Sequence, residues 1–405
     1  MPEPPMRPNL PILFIFITVV IDAMGIGLIF PVMPTLIQEV SDGTLADAAI
    51  WGGVLSAAFA LMQFLFGPII GNLSDRYGRR PVLLVSLVVM ALDYVVMAVA
   101  GSIWLLLAGR IVGGITAATH STASAYMADI SKPEEKARNF GLIGAAFGVG
   151  FVLGPVLGGL LAEFGSRAPF WAAACLTGAN ALLGWIVLRE TVTDKIRRPF
   201  SWKRANPLGA LRAVTHLPGL AALLAVYFFY QIATAVYPSI WAYFTTERLG
   251  WSPGMIGLSL AAYGLGFAIV QGLLVAPSIR IFGNRGTVTF GLVIEFASLI
   301  FLGVVTSGLL VLAAVPVSAL GALGMPALQA IMSRRVPDDA QGELQGVLTS
   351  LTSLATILAP LMMTQTFAYF TKPAAPVYAP GAPFILSACL LGIGLLLFSR
   401  VRKRL

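Results

Sequence analysis

Between two long apolar stretches the chain reads Gly71-Asn72-Leu73-Ser74-Asp75-Arg76-Tyr77-Gly78-Arg79-Arg80, which packs one acid, three bases and two glycines into ten residues. The run before it, 46–73, and the run after it, 80–100, are each long enough for a helix to cross the roughly 30 Å hydrocarbon core of a bilayer. The charged stretch is therefore a loop at a membrane face, and its glycines permit a tight reversal between helices. Asp75, at a helix end, is placed to pair with Arg79 or with the N-terminus of a neighbouring helix. A basic anchor would need only the arginines. The density of acid, base and glycine together predicts a conformational latch, with Gly71, Asp75, Gly78, Arg79 and Arg80 as gating residues.

The same pattern of apolar run and polar break fills the chain. Of 405 residues, 58% are hydrophobic and 11% charged, with a mean hydropathy of +0.87, whereas a soluble domain carries about 25% charge. Twelve spans are expected, near 10–38, 46–73, 80–100, 102–128, 137–163, 168–189, 218–246, 253–279, 284–305, 307–333, 340–370 and 380–400. The first is too long, with no small-residue cleavage site after it, to read as a removed signal peptide. The fold class is all-α: a polytopic membrane protein whose twelve helices form two six-helix pseudo-symmetric halves. The expected organisation is an N-terminal bundle at 1–189, a cytoplasmic linker at 190–217 and a C-terminal bundle at 218–405. Phe200-Ser201-Trp202-Lys203-Arg204 in the linker reads as amphipathic and suited to a membrane surface. Cys175 and Cys389 both lie in apolar runs, so no thiolate cluster or disulfide framework is expected.

Orientation follows from the basic residues. With twelve spans, 22 of the 26 lysines and arginines fall on the side of the N-terminus, which places both termini and the linker in the cytoplasm. This distribution also accounts for the net charge of +8 without invoking nucleic acid. An internal repeat appears at an offset of 205 residues: Gly78 and Arg80 return as Gly283 and Arg285, Gly141 and Pro155 as Gly346 and Pro360. Transporters of the major facilitator type are built from such parallel repeats, with the substrate site near the midplane between the halves. The second-half counterpart of the latch keeps a glycine and a base but has no acid, so the latch is expected on one half only.

Ionisable residues inside the spans are functional candidates by default, because each is costly there. Asp22, Asp93 and Glu295 each lie about 11 to 13 residues into a helix that starts on the cytoplasmic side, roughly 18 Å along the helix axis. Carboxylates at that depth, in a cavity that opens to one side and then the other, suit proton coupling. Arg110, in Ala108-Gly109-Arg110-Ile111, needs a carboxylate or water as partner, and Asp22 is the expected one. Gly150-Phe151-Val152-Leu153-Gly154-Pro155-Val156-Leu157-Gly158-Gly159 interrupts the fifth span with small residues and a proline, so Gly150, Gly154, Pro155, Gly158 and Gly159 join the gating set, with a plain packing groove as the alternative. Polar and aromatic candidates for the substrate surface are Gln63, His120, Phe147, Gln231, Phe267 and Gln271, with Gln329, Tyr230, Tyr237 and Trp241 as further wall residues.

These residues resemble the major facilitator superfamily and, within it, the bacterial tetracycline/proton antiporters. The resemblance runs nearly end to end. It is carried by Asp22-Ala23-Met24-Gly25-Ile26-Gly27-Leu28-Ile29-Phe30-Pro31, by the Asp75 loop continuing as Arg79-Arg80-Pro81-Val82-Leu83, by Asp93-Tyr94, and by Ala125-Tyr126-Met127-Ala128-Asp129-Ile130. Gly324-Met325-Pro326-Ala327-Leu328-Gln329 and Gln341-Gly342-Glu343-Leu344-Gln345-Gly346 extend it into the second half. The resemblance implies proton-coupled efflux of an amphipathic drug by alternating access. The cargo it implies is a tetracycline carried with a divalent cation such as Mg2+. It assigns Asp22 and Asp93 to the essential membrane acids, Gln63 to the substrate cavity, Asp75 and Arg79 to the gate, and Arg110 to proton coupling; Asp129 belongs with the gate. It further implies a bacterial inner membrane location, a monomer, no cofactor and no fixed metal site. Two departures bear on specificity. Glu295 stands where the family has an aspartate, and Phe267 where members have a histidine, while His120 takes a position expected to be glycine.

A facilitator-fold exporter or symporter of a metabolite or sugar is the first rival, and a membrane scaffold or sensor that no longer moves solute is the second. Three costly buried acids argue against the scaffold, and few amides of the sugar-binding kind argue against a sugar. No enzyme is expected: there is no phosphate-binding glycine loop with lysine, no nucleophile paired with a base and no metal-ligand cluster in the sequence.

Overall fold

A computed structural model describes residues 10–194, 197–202, 205–206, 219–337 and 340–402, so Lys203 and Arg204 of the amphipathic connector lie outside the described residues. Helices account for nearly all of it, and no strand occurs among the described residues. In the first half they are α1 (Leu10–Ile29), α2 (Met33–Ser41), α3 (Leu45–Tyr77), α4 (Arg79–Val99), α5 (Ile103–Thr116), α6 (Thr119–Ile130), α7 (Lys136–Leu161) and α8 (Ala168–Val187). The second half holds α9 (Ala221–Thr234), α10 (Val236–Leu249), α11 (Pro253–Ile269), α12 (Val275–Val304), α13 (Gly308–Ser318), α14 (Gly324–Ser333), α15 (Gln341–Thr371) and α16 (Ala382–Arg402). Eleven continuous helical stretches are long and apolar enough to cross a membrane. The longest, Pro253–Val304, has 52 residues, about 78 Å if straight, and it is broken at Gly283, where φ is 65° and ψ 169°. Divided there, it supplies two spans, and the count becomes the twelve that hydropathy predicts.

Gly283 and its repeat partner Gly78, with φ at 116°, are both held in the left-handed half of backbone space, which a side chain would strain. Each sits at the turn between the second and third spans of its half. Pro155 and Pro360, the other repeated pair, both lie inside long helices, α7 and α15. The expected first, fourth, seventh and tenth spans are each interrupted. The first breaks at residues 30–32, around Pro31, and the fourth at Ala117–Ala118. The seventh turns at Ala235, and the tenth passes through a 3-10 segment at Ala319–Leu323.

Contacts divide the chain into two compact units, Met1–Val32 with Leu61–Pro207, and Met33–Ala60 with Leu208–Leu405. The first part of α3 therefore belongs with the second unit rather than with the 1–189 bundle in which chain order places it. The reason is close contact: a Cβ on Gly52 would collide with the Tyr243 hydroxyl, and one on Gly53 with the Pro360 carbonyl and Thr364.

Within the first unit, α1 packs most extensively on α7. Gly150, Gly154 and Gly158 recur every fourth residue, so they line one face of α7. That face meets the Val20, Met24 and Leu28 carbonyl oxygens of α1 with no room for a methyl group, and Gly27 of α1 is equally tight against Pro155. Small residues let membrane helices approach this closely. The glycine run is thus a packing groove by its contacts. Gly154→Leu should force α1 from α7 and lower stability by about 1 to 3 kcal/mol, read as a fall in thermal unfolding temperature in detergent. Gly148→Ala, where a Cβ meets nothing within 4 Å, is the control expected to unfold like wild type.

Candidate functional site

Two acids and one arginine meet in the first unit. Asp93 lies six residues before the end of α4 and Arg110 seven residues into α5, and the two helices are joined by residues 100–102 only. Antiparallel neighbours with so short a link bring these positions to the same depth. Arg110 Nη2 donates to Asp93 Oδ2 in a salt bridge, with both residues buried, Asp93 at 3% exposure and Arg110 at 8%. This corrects the expectation that Asp22 partners Arg110: Asp22 stands on α1, which packs on α7 and α8, whereas α4 lies directly against α5. Gly109 makes room for the pair, since a Cβ there would stand 2.7 Å from Asp93 Oδ1. That second carboxylate oxygen is buried without a hydrogen-bond partner.

Asp22 is half-buried and makes no hydrogen bond to a described residue. Tyr94 connects it with the pair. Its ring lies within electrostatic reach of Asp22, Asp93 and Arg110, and its hydroxyl abuts Gly25, where a side chain would not fit. Nearby on the same unit, Gln63 Nε2 donates to the Ala117 carbonyl at 3.2 Å, at the break between α5 and α6. His120 follows on α6, exposed, and meets the Phe147 ring edge-on at 6.0 Å, with Phe151 stacked behind at 6.2 Å. Gln63 and His120 are thus exposed polar side chains on helical stretches long and apolar enough to cross a membrane.

At the charged end of the same unit, Arg79 organises the loop. Its guanidinium reaches Asp75 at 2.6 Å, Asp129 at 3.2 Å and the Ser74 hydroxyl at 3.2 Å. Glu190, which the sequence reading passed over, completes the network. Its carboxylate accepts the backbone N–H groups of Arg79 at 2.9 Å and Arg80 at 3.2 Å, capping the start of α4. Thr191 donates to Asp129 at 3.0 Å. A Cβ on Gly78 would overlap the Glu190 carboxylate, so contact as well as backbone angle requires glycine there. Gly71 faces open space.

The second unit holds Glu295 on α12, 2% exposed, with Oε1 lacking a hydrogen-bond partner. No arginine or lysine ion pair to it is formed among the described residues. Its surroundings are phenolic: Tyr237 faces the carboxylate, and Tyr230 and Tyr263 lie within electrostatic reach. Gly321, in the 3-10 segment, leaves space that any side chain would take from Glu295. Tyr237 stacks on Tyr263 at 6.0 Å and Tyr263 on Phe267 at 6.3 Å, forming an aromatic row from the acid to the half-exposed Phe267. Trp241 donates to Ser259 at 2.9 Å beside it. Gln231 is engaged with Thr352 at 2.8 Å. Gln271 donates to the Ala322 carbonyl at 3.5 Å from a π-helical turn, Val270–Leu274, a feature that often marks functional sites. Among the described residues no group of three metal-ligating side chains occurs.

Breaking a buried pair leaves one charge uncompensated, at about 3 to 5 kcal/mol. Arg110→Gln alone should therefore reduce the yield of folded protein and the unfolding temperature sharply. The double variant Asp93→Asn with Arg110→Gln should recover much of that stability, as measured by detergent thermal shift.

The family model described as Major Facilitator Superfamily matches residues 15–243 and again 223–404. The chain is 44% identical to the class C tetracycline resistance protein of Escherichia coli, over 90% of this chain and 91% of that one. It is 42% identical to the class G tetracycline resistance protein of Vibrio anguillarum, over 86% and 88%. Among solved structures, a bacterial homolog of the human lysosomal transporter Spinster, inward-facing and unoccupied, superposes with a TM-score of 0.77 at 17% identity, covering 97% of each chain.

Proposed function

Since the chain belongs to the Major Facilitator Superfamily, we infer that it exports a tetracycline from the bacterial cytoplasm across the inner membrane in exchange for protons. What carries the reading is the 44% identity to a tetracycline resistance protein over 90% of the chain, joined to buried carboxylates on Asp93 and Glu295 that each retain an unpartnered oxygen. Both termini and the Asp75 loop face the cytoplasm, in accord with the side on which the basic residues gather.

Asp22, Asp93 and Glu295 carry the protons. Arg110 holds Asp93 in place and supplies a counter-charge when its carboxylate is ionised. Gln63, His120 and Phe147 of the first unit offer amide, imidazole and ring faces to an amphipathic ligand; in the second unit, taken by itself, Gln231, Phe267 and Gln271 are the corresponding candidates. Mg2+ travels as part of the substrate, bound to its oxygens rather than to a resident protein site. Alternating access then depends on the Arg79 network, whose bonds to Asp75, Asp129 and Ser74 form and break with the cytoplasmic opening. The protein works as a monomer, with no cofactor beyond the proton gradient.

Addition of tetracycline with magnesium to energised everted vesicles should release protons from vesicles containing the wild-type chain. Asp22→Asn, and the double variant Asp93→Asn with Arg110→Gln that leaves no buried charge unpaired, should each abolish this release while the protein remains folded. Normal exchange by both variants would refute the coupling role, and silence from the folded wild type would refute tetracycline as cargo.

A further inference from the structure

At the charged end of the first unit, part of the linker is fastened to the Asp75 loop. Arg197 Nη1 donates to the Arg76 carbonyl at 3.2 Å, and the Arg198 amide to the Asp75 carbonyl at 3.3 Å. The buried Asn72 donates its side-chain amide to the Ser201 carbonyl at 3.1 Å. The segment is thus held by its own backbone against the end of α3. What it displays is unusual for a surface in contact with water alone. Trp202 is 74% exposed, with Phe200 edge-on to it at 5.0 Å. Tyr77, 58% exposed, lies under the Arg76 guanidinium at 5.1 Å.

Exposed tryptophan and tyrosine are characteristic of the membrane–water interface, where an apolar ring meets wet headgroups. Arginines beside them add attraction for negative charge. Arg76 is exposed, and the Arg197 side chain, 47% exposed, has its Nε beside Asp194 at 3.6 Å, a carboxylate fully in solvent, in addition to the Nη1 bond to the Arg76 carbonyl. Such an exposed pair contributes little and yields readily to a competing anion. We propose that Arg76, Arg197 and the Trp202–Phe200 pair form a binding site for the phosphate headgroup of an anionic phospholipid in the cytoplasmic leaflet. The two guanidiniums take the phosphate, and the rings lie along the upper acyl chain. The choice of leaflet rests on the orientation inferred above; the binding itself does not depend on what the protein transports. Fastened to the Asp75 loop as the segment is, a bound lipid fixes the linker beside the gate.

The test reads binding without transport. The full chain is reconstituted in bilayers of phosphatidylcholine with phosphatidylglycerol, one or the other brominated on its acyl chains. The Trp202 contribution to fluorescence quenching is taken as the difference between wild type and Trp202→Phe. Brominated phosphatidylglycerol should quench Trp202 in preference to brominated phosphatidylcholine, and the preference should fall about five-fold for each arginine removed, in Arg197→Gln and in Arg76→Gln. Arg197→Gln alone suffices if the Arg76 variant does not fold. Equal quenching by the two lipids, or a preference unchanged in Arg197→Gln, would overturn the proposal. Loss of the preference on adding inorganic phosphate at constant ionic strength would also overturn it, by identifying a free-anion site.

Discussion

An ionised side chain at membrane depth has to bring its own solvation, and much of the arrangement around the buried acids answers to that constraint. Arg110 and Asp93 meet it by pairing, and the pair dictates its surroundings. Residues 100–102 make a short link that keeps α4 and α5 antiparallel with the two positions level, and Gly109 leaves the space for the carboxylate. Tyr94, next in sequence to Asp93, then points across to α1 and brings Asp22 into the same electrostatic neighbourhood. Close packing of α1 on α7 through Gly27, Gly150, Gly154 and Gly158 holds the helix that carries Asp22. A packing groove and the placement of a membrane-span acid are therefore parts of one structure.

The second unit answers the same constraint differently. Glu295 has no basic partner among the described residues and is surrounded instead by Tyr230, Tyr237 and Tyr263. Phenolic hydroxyls can donate hydrogen bonds but carry no compensating charge at neutral pH. The longer arm of glutamate needs extra room, and Gly321 supplies it where the helix tightens into a 3-10 turn. The repeat in sequence thus preserves helix breaks, at Gly78 and Gly283, and helix prolines, at Pro155 and Pro360, while the chemistry beside the buried acids has diverged.

That contrast explains what could be read from the sequence. Hydropathy located spans well where a helix is continuous: the expected 80–100 is Arg79–Val99, and 340–370 is Gln341–Thr371. It was blind to breaks inside apolar runs, because a residue such as Ala117 or Ala235 leaves mean hydropathy unchanged while the backbone turns. The buried acids were legible for the opposite reason, each a costly exception in an apolar run. Their partners were not. Arg110 and Asp93 are separated by a turn, Glu190 and Arg79 by 111 positions, and nothing in composition or periodicity ties such positions together. Glu190 in particular is an ordinary acid after a helix until the N–H groups at the start of α4 are seen to point at it.

Glu190 also changes how the charged loop works. Arg79 is held twice, by its guanidinium to Asp75, Asp129 and Ser74 and by its backbone amide to Glu190. The side-chain bonds are partly exposed and individually weak, whereas the cap satisfies N–H groups that have no partner within the helix. The two sets have separate roles. The cap fixes the start of α4 to the end of α8 through the residues that follow it, and Gly78, which must be glycine for both backbone angle and contact, keeps the turn tight. The guanidinium contacts can then exchange partners without loosening the helix that carries Asp93, so the charged end can rearrange while the buried pair stays at its depth.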